Sequence, residues 1–171
     1  MATGLNNLKN TLGVGSRANK YKIKINQFID SASASILCKA ASFPSKTMGQ
    51  IEVMNLGRKI ILAGDAQFEH TWDLTFWNTQ DHNIRQQFDA WMTSIDDVEN
   101  DVRALENPDD YMTTAEVDQI SATDGTSSTI GYTFYNLFPV SISNVDFSSD
   151  SADTITEFTV TLAFSHFDPK S

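Results

Sequence analysis

From residue 20 to residue 25 the chain reads KYKIKI, an unbroken alternation of apolar and charged side chains. A repeat of two belongs to a strand, since successive Cβ atoms of extended backbone point to opposite faces. Tyr21, Ile23 and Ile25 therefore share one face, and Lys20, Lys22 and Lys24 share the other. The pattern returns twice at greater length. In FEHTWDLTFW (68–77), Phe68, Trp72, Leu74 and Phe76 lie on one side with His70 among them, opposite Glu69, Thr71, Asp73 and Thr75. In the last run, Phe158, Val160, Leu162 and Phe164 form a core face, opposite Glu157, Thr159, Thr161, Ala163 and Ser165. A chain with three such runs is committed to sheet, and the outward face of that sheet is patterned as well as the inward one.

The remaining segments fit hairpins. ILCKAASF (36–43) reads as the antiparallel partner of the first strand, joined through the polar DSASAS and stopped by Pro44, which cannot donate to a ladder. Residues 45–57 form an excursion, with QIEVM as a short strand and a turn at Asn55-Leu56-Gly57; residues 58–62 are the next strand. Gly64 and Asp65 supply a tight corner. Asp124-Gly125 is a hairpin signal between 113–122 and 128–138, and VSISNVDF pairs with the last run around SSDSAD.

One helix is firm. Ile84, Phe88, Trp91, Met92 and Ile95 make a single stripe, with Asn78 or Thr79 as cap, Asp81 in the first turn, and Arg85, Gln86 and Asp89 facing water. Residues 96–110 suggest a weaker helix or structured loop through Val98, Val102 and Leu105, ended by Pro108. The expected fold is mainly β: an antiparallel β-sandwich or barrel with one flanking α-helix. Residues 1–19 are expected as a flexible arm, with Leu5, Leu8 and Leu12 at helical spacing, and 20–171 as a single domain.

Composition narrows the function classes. The chain has 171 residues, 40% apolar, with eleven Phe, enough for one core. A single cysteine, Cys38, excludes an intrachain disulfide and reads as a core residue. No secretory leader and no membrane-length apolar run is visible, so synthesis in the cytoplasm is expected. The net charge of −10 argues against simple phosphate binding. It is unevenly spread: residues 1–60 hold nine Lys/Arg and two Asp/Glu, whereas residues 61–171 hold three and twenty. Such asymmetry suits either two surfaces of one monomer or a basic part of one copy meeting the acidic part of the next.

Chemistry-bearing constellations are weak. His70, His82 and His166 lie in different elements without metal-ligand spacing; His70 reads as a hydrogen-bonded core residue and His82 as the exposed start of the helix. Ser165, His166 and Asp168 lack triad geometry, because neighbours on a strand point oppositely. The acidic run Asp96, Asp97, Glu99, Asn100 and Asp101 lacks the central Gly and terminal Glu of a calcium loop. Trp77 and Phe138 fall off the core phases and leave a carbohydrate-binding β-sandwich module as a reading from a different class.

RKIILAGD followed by TWDLTFWNTQDHNIRQQFDAWM resembles the tail tube protein of contractile-tailed bacteriophages, with its Asp-x-x-x-Arg (Asp81, Arg85) and Phe-x-x-Trp (Phe88, Trp91) helix. LFPVSISNVDFSSDSADTITEFTVTLAF matches that family's Pro-containing turn and closing strand, and the likeness spans roughly 17–168. The resemblance implies a β-barrel similar to the inner-tube protein of type VI secretion. It implies hexameric rings stacked into a hollow tube within a contractile sheath, with tail sheath, baseplate and tail terminator proteins as partners. Phage DNA would cross the lumen without specific binding. The location would be the virion, with assembly in the bacterial host cytoplasm. A baseplate tube-initiator or a secretion-system tube is the alternative within the class. No catalysis, cofactor, metal or membrane binding is implied. Within that frame Lys22, Lys24, Lys46, Met48, Arg58 and Lys59 are expected at interfaces between copies, and Glu157, Thr159, Thr161 and Ser165 toward the lumen.

Overall fold

The structure, a computed structural model, describes residues 7, 9–13, 15–97, 105, 107–148 and 154–170. Its elements run β1 (Tyr21–Ile25), α1 (Ser31–Leu37), β2 (Cys38–Ala40), β3 (Thr47–Asn55), β4 (Arg58–Gln67), β5 (Thr71–Trp77), α2 (Asn83–Ile95), α3 (Pro108–Tyr111), β6 (Thr113–Ile120), β7 (Ser128–Ile142), β8 (Glu157–Ala163) and β9 (His166–Pro169). Seven strands form one antiparallel sheet in the order β1-β6-β7-β8-β5-β2, with β9 added on β7; β3 and β4 pair only with each other. The sheet curls into a half-barrel. Its edges approach closely enough for the Tyr21 hydroxyl on β1 to donate to the Cys38 carbonyl on β2 at 2.8 Å. The mainly β architecture with a flanking helix agrees with the expected fold class.

The alternating runs place the core. Across β5 and β8, Trp72 faces Leu162, Leu74 faces Val160 and Phe76 faces Phe158, and all six are buried. The apolar stripe of α2 closes one mouth of the curl: Ile84, Phe88 and Trp91 are buried, with Met92 and Ile95 half-buried. Trp91 stacks on Phe28 at 4.8 Å, and its indole N–H donates to the Tyr111 carbonyl at 3.0 Å. Trp72 stacks on Phe134 at 4.3 Å and donates to the Ser42 carbonyl at 2.9 Å. Each indole therefore fills volume and still satisfies its one donor. β7 pairs with β6 along its first part and with β8 over 138–142, carrying the sheet around the curl. The hairpin expected at Asp124-Gly125 forms between β6 and β7; Gly125 has φ +70, and the Asp124 carboxylate accepts from the N–H groups of Thr126 and Ser127 at 3.1 Å.

Several expectations need correcting. DSASAS is no strand connector: Asp30 caps α1 by accepting from the N–H groups of Ala32 and Ser33, and Ala34 packs into the core. Residues 36–43 do not pair with β1. Their strand is only three residues long and joins β5, while β1 pairs with β6. Gly64 and Asp65 make no corner but lie inside β4. There the β3–β4 register shifts between Met48 and Gln50, and a Cβ on Gly64 would sit 3.0 Å from the Gly49 carbonyl carbon. The glycine serves close backbone approach across a bulge rather than a turn.

Neither Asn78 nor Thr79 caps α2. The helix starts after His82 in the left-handed region, φ +49, without a side-chain cap. Asn78 Nδ2 and Oδ1 and Thr79 Oγ1 are buried and meet no partner among the described residues. Arg85 does not simply face water, since its guanidinium donates to the Ser143 carbonyl at 2.8 Å and lies over the Phe158 ring. His70 is exposed rather than in the core, although Nδ1 lies 3.1 Å from the Phe164 carbonyl. Pro108 begins a helix instead of ending one. Leu5, Leu8, Val98 and Val102 lie outside the described residues, as do Glu99, Asn100 and Asp101. Leu12 sits in an exposed helical turn.

Cys38 and Tyr21 join the two sheet edges and yield a testable pH dependence. Burial pushes the Cys38 thiol up to about 11, and burial followed by the neighbouring Cys38 pushes the Tyr21 phenol up to about 12. Both folded values lie above the ordinary ones of 9.0 and 10.0, so the folded chain holds these protons longer than the unfolded chain. Their contribution to stability is complete below pH 9 and is lost as pH rises toward 11–12. Urea midpoints are expected to be level around neutrality and to fall above pH 9, with a shallower fall in Cys38→Ala. Native Cys38 is expected to resist thiol reagents at neutral pH until the chain is unfolded.

Candidate functional site

Two surfaces are built beyond what the core requires. The first is the outward face of β5 and β8. Strand alternation turns Thr71, Asp73, Thr75 and Trp77 of β5 outward beside Glu157, Thr159, Thr161 and Ala163 of β8. The register sets Thr75 opposite Thr159 and Asp73 opposite Thr161. Their side chains meet: Thr75 Oγ1 lies 3.2 Å from Thr159 Oγ1, and Thr161 donates to Asp73 at 2.6 Å. These outward positions of β5 and β8 include no lysine or arginine. At the end of the face, Glu157 pairs with Lys39 of β2. Ser165 lies beyond the strand, in the bend between β8 and β9, exposed, with its N–H donating to the Tyr135 carbonyl at 3.0 Å. Thr159 and Thr161 thus sit within one polar stripe, Glu157 at its end and Ser165 outside the strand.

The second surface is the β3–β4 hairpin, which pairs with no other strand. Its register pairs Ile51 with Leu62 and Val53 with Ile60, so one face of the ribbon is four aliphatic side chains, all exposed. The other face carries Glu52, Met54, Lys59 and Ile61, with Lys59 paired to Glu52. The turn is Asn55-Leu56-Gly57-Arg58, with φ +48 at Leu56 and +75 at Gly57. Met48, Arg58 and Lys59 are the interface residues expected here, and the 45–57 excursion as a whole is expected to reach the next copy; the aliphatic face of Ile51, Val53, Ile60 and Leu62 is not among those expectations. Part of the signal was available, since Ile51 and Val53 alternate with Gln50 and Glu52 ahead of an Asn-Leu-Gly turn, whereas Ile60-Ile61-Leu62 is an unbroken apolar run.

The expected interface residues do not form one patch. Lys46 precedes the hairpin; Met48, Arg58 and Lys59 are on it. Lys22 and Lys24 are on β1, opposite Asp118 and Glu116 of β6. Those two carboxylates also hold Lys170, whose ammonium is raised above its ordinary range mainly by Glu116 and then Asp118. The lysine stripe therefore lies in register with carboxylates whose ion pair is with Lys170.

The exposed His166 ring stacks on Tyr135 at 4.6 Å. Among the described residues no group of three or more His, Cys, Asp or Glu is placed to hold a metal ion. Phe138 packs edge-on against Tyr111, leaving Trp77 apart from it as an aromatic surface. Among the described residues no helix is long and apolar enough to cross a membrane.

The sequence profile of a family described as phage tail tube protein matches residues 7–169. The chain belongs to the phage tail tube protein family. This tail tube protein is 28% identical to Tail tube protein gp19 of Enterobacteria phage T4 over 153 residues, covering 90% of this chain and 91% of that protein. It is 26% identical to a Tail tube protein of Serratia phage KSP90, covering 75% and 71%. Solved structures share its fold. The PVC sheath/tube terminator of an extracellular contractile injection system superposes with TM-score 0.66 at 16% identity, covering 91% and 96% of the two chains. The sheath–tube complex of the same kind of system gives 0.61 at 15%, covering 96% and 97%. The role is structural, in the tail of the virion.

Proposed function

We propose that copies of this chain assemble as hexameric rings stacked into the inner tube of a contractile tail. Tail sheath, baseplate and tail terminator proteins are its partners, and phage DNA leaves through the bore. The chain acts by polymerising and catalyses nothing. The observation that carries the reading is the β3–β4 hairpin. A two-stranded ribbon is marginally stable alone in water, and this one exposes an aliphatic face that no other described residue covers. A second copy is the covering surface that a self-assembling protein always has to hand. Contacts between unlike surfaces repeat head to tail, and they build rings where the rotation closes and filaments where it does not. The threonine-rich outward face of β5 and β8 is the proposed lumen lining. Its positions offer phosphate no cation, which suits a passage that must not retain DNA.

Purified protein is expected to form tubes of uniform bore, alone or on a baseplate template, by negative-stain microscopy with sedimentation. Solely discrete, non-stacking particles under both conditions would refute the reading. Charge reversal at Lys22, Lys24, Arg58 and Lys59 together is expected to abolish stacking while circular dichroism stays that of the wild type. Unchanged tube yield would remove these residues from the interface.

A further inference from the structure

Leu56 occupies a position that its own chain does not reward. It is the first central residue of a two-residue hairpin loop and lies in the left-handed region, where Asn or Gly is preferred and a bulky side chain is strained. Its side chain is 96% exposed, so it gains no intrachain burial in return. An unfavourable backbone state and an unfavourable solvent exposure coincide at the tip of an arm that stands apart from the sheet. Such an outlier calls for a partner outside the chain.

The body of the protein carries a matching recess. A cleft of about 920 Å³ lies between the end of β5, the start of β8 and the segment following β7. Trp77, Val145, Phe147 and Ile155 line it, with Phe147 77% and Ile155 71% exposed. Asp146 and Glu157 belong to the same lining. The hairpin tip brings Arg58 and Lys59 beside Leu56, Lys59 being paired to Glu52. An apolar knob beside Arg58 thus meets a mixed recess, whose apolar side chains lie among Lys39, Thr156 and the carboxylates Asp146 and Glu157. Asp146 accepts from Asn144 at 2.8 Å, and Glu157 from Lys39, yet a carboxylate has capacity for further donors.

The geometry points to Leu56 of one copy seating in the Trp77–Phe147–Ile155 cleft of a second copy, with Arg58 reaching Asp146. This contact rests on the tube-forming reading and specifies one of its joints. It also moves Glu157 from the lumen lining to the rim of a joint, in keeping with its place at the end of the threonine stripe.

Leu56→Asn separates folding from assembly, because asparagine suits the left-handed turn better than leucine. The free variant is expected to melt no lower than the wild type. The concentration needed for tube growth is expected to rise by roughly tenfold or more, the loss of one buried leucine contact. Phe147→Ser is expected to weaken growth similarly. A photo-cross-linking p-benzoylphenylalanine at position 56 is expected to join, in assembled tubes, to Trp77 or to residues 144–148 or 154–157 of another copy. Cross-links to any other segment, or Leu56→Asn tubes growing at the wild-type concentration, would overturn the contact and leave tube formation standing. Wild-type protein that forms no tubes on any template would overturn both.

Discussion

Trp91→Ala is expected to lower unfolding free energy by about 3–5 kcal/mol, the usual loss for a buried tryptophan cut back to alanine. The indole is almost wholly buried. Removing it vacates the space between Phe28 and Phe88 and leaves the Tyr111 carbonyl without its donor. Two mechanisms thus act together, a cavity and an unsatisfied acceptor. A chain of this size has about 5–15 kcal/mol in all, so the variant sits near the edge of folding. Urea denaturation read by circular dichroism checks it. Trp91→Phe should recover most of the packing but not the hydrogen bond, and should fall between the two. A loss below about 1 kcal/mol would mean that α2 is not the cover of the curl.

The second large effect concerns the proposed bore. Lysine at both Thr159 and Thr161 is expected to turn a passage into a trap. Both threonines are half-buried on the outward face of β8, where a lysine stem can lie along the sheet and extend its ammonium outward. Each phosphate contact steepens the dependence of log K on log salt by about 0.9 for duplex DNA, and the contacts multiply with every copy along a tube. Tubes of the double variant should therefore retain DNA at low salt and release it at high salt, in a filter-binding or ejection assay, while assembling as the wild type does. The matched pair Thr159→Gln and Thr161→Gln should leave passage unchanged. Retention equal to that of wild-type tubes would place this face away from the DNA.

Local repeats were readable wherever a short stretch of residues decided the structure. The two-residue alternation of Tyr21–Ile25, Thr71–Trp77 and Glu157–Ala163 fixed which side chains are buried, and the Ile84–Phe88–Trp91 stripe fixed the buried face of α2. What depends on distant chain was not readable. Residues 38–40 join β5 instead of β1, because the choice of partner is settled by the curl of the whole sheet. The seven-residue α1 begins with five alternating Ser and Ala before Ile36 and Leu37, shows no helical apolar period, and only the Asp30 cap announces it. Gly64 signals a turn by composition but faces Gly49 across a bulge, a relation invisible without the register. The candidate surfaces divide the same way. Thr159 and Thr161 followed from alternation, whereas Leu56 required its backbone angle and its exposure.

Among the described residues the β3–β4 ribbon pairs with no other strand, and this has a thermodynamic consequence. A solitary copy should exchange the amide hydrogens of this arm quickly and those of the curled sheet slowly, because its backbone bonds lie open to water. Once a neighbour covers the arm, exchange there slows, and the melting temperature climbs with total protein, as for any fold tied to association. Apolar burial loses strength on cooling, so a chilled filament should shed subunits that are still folded.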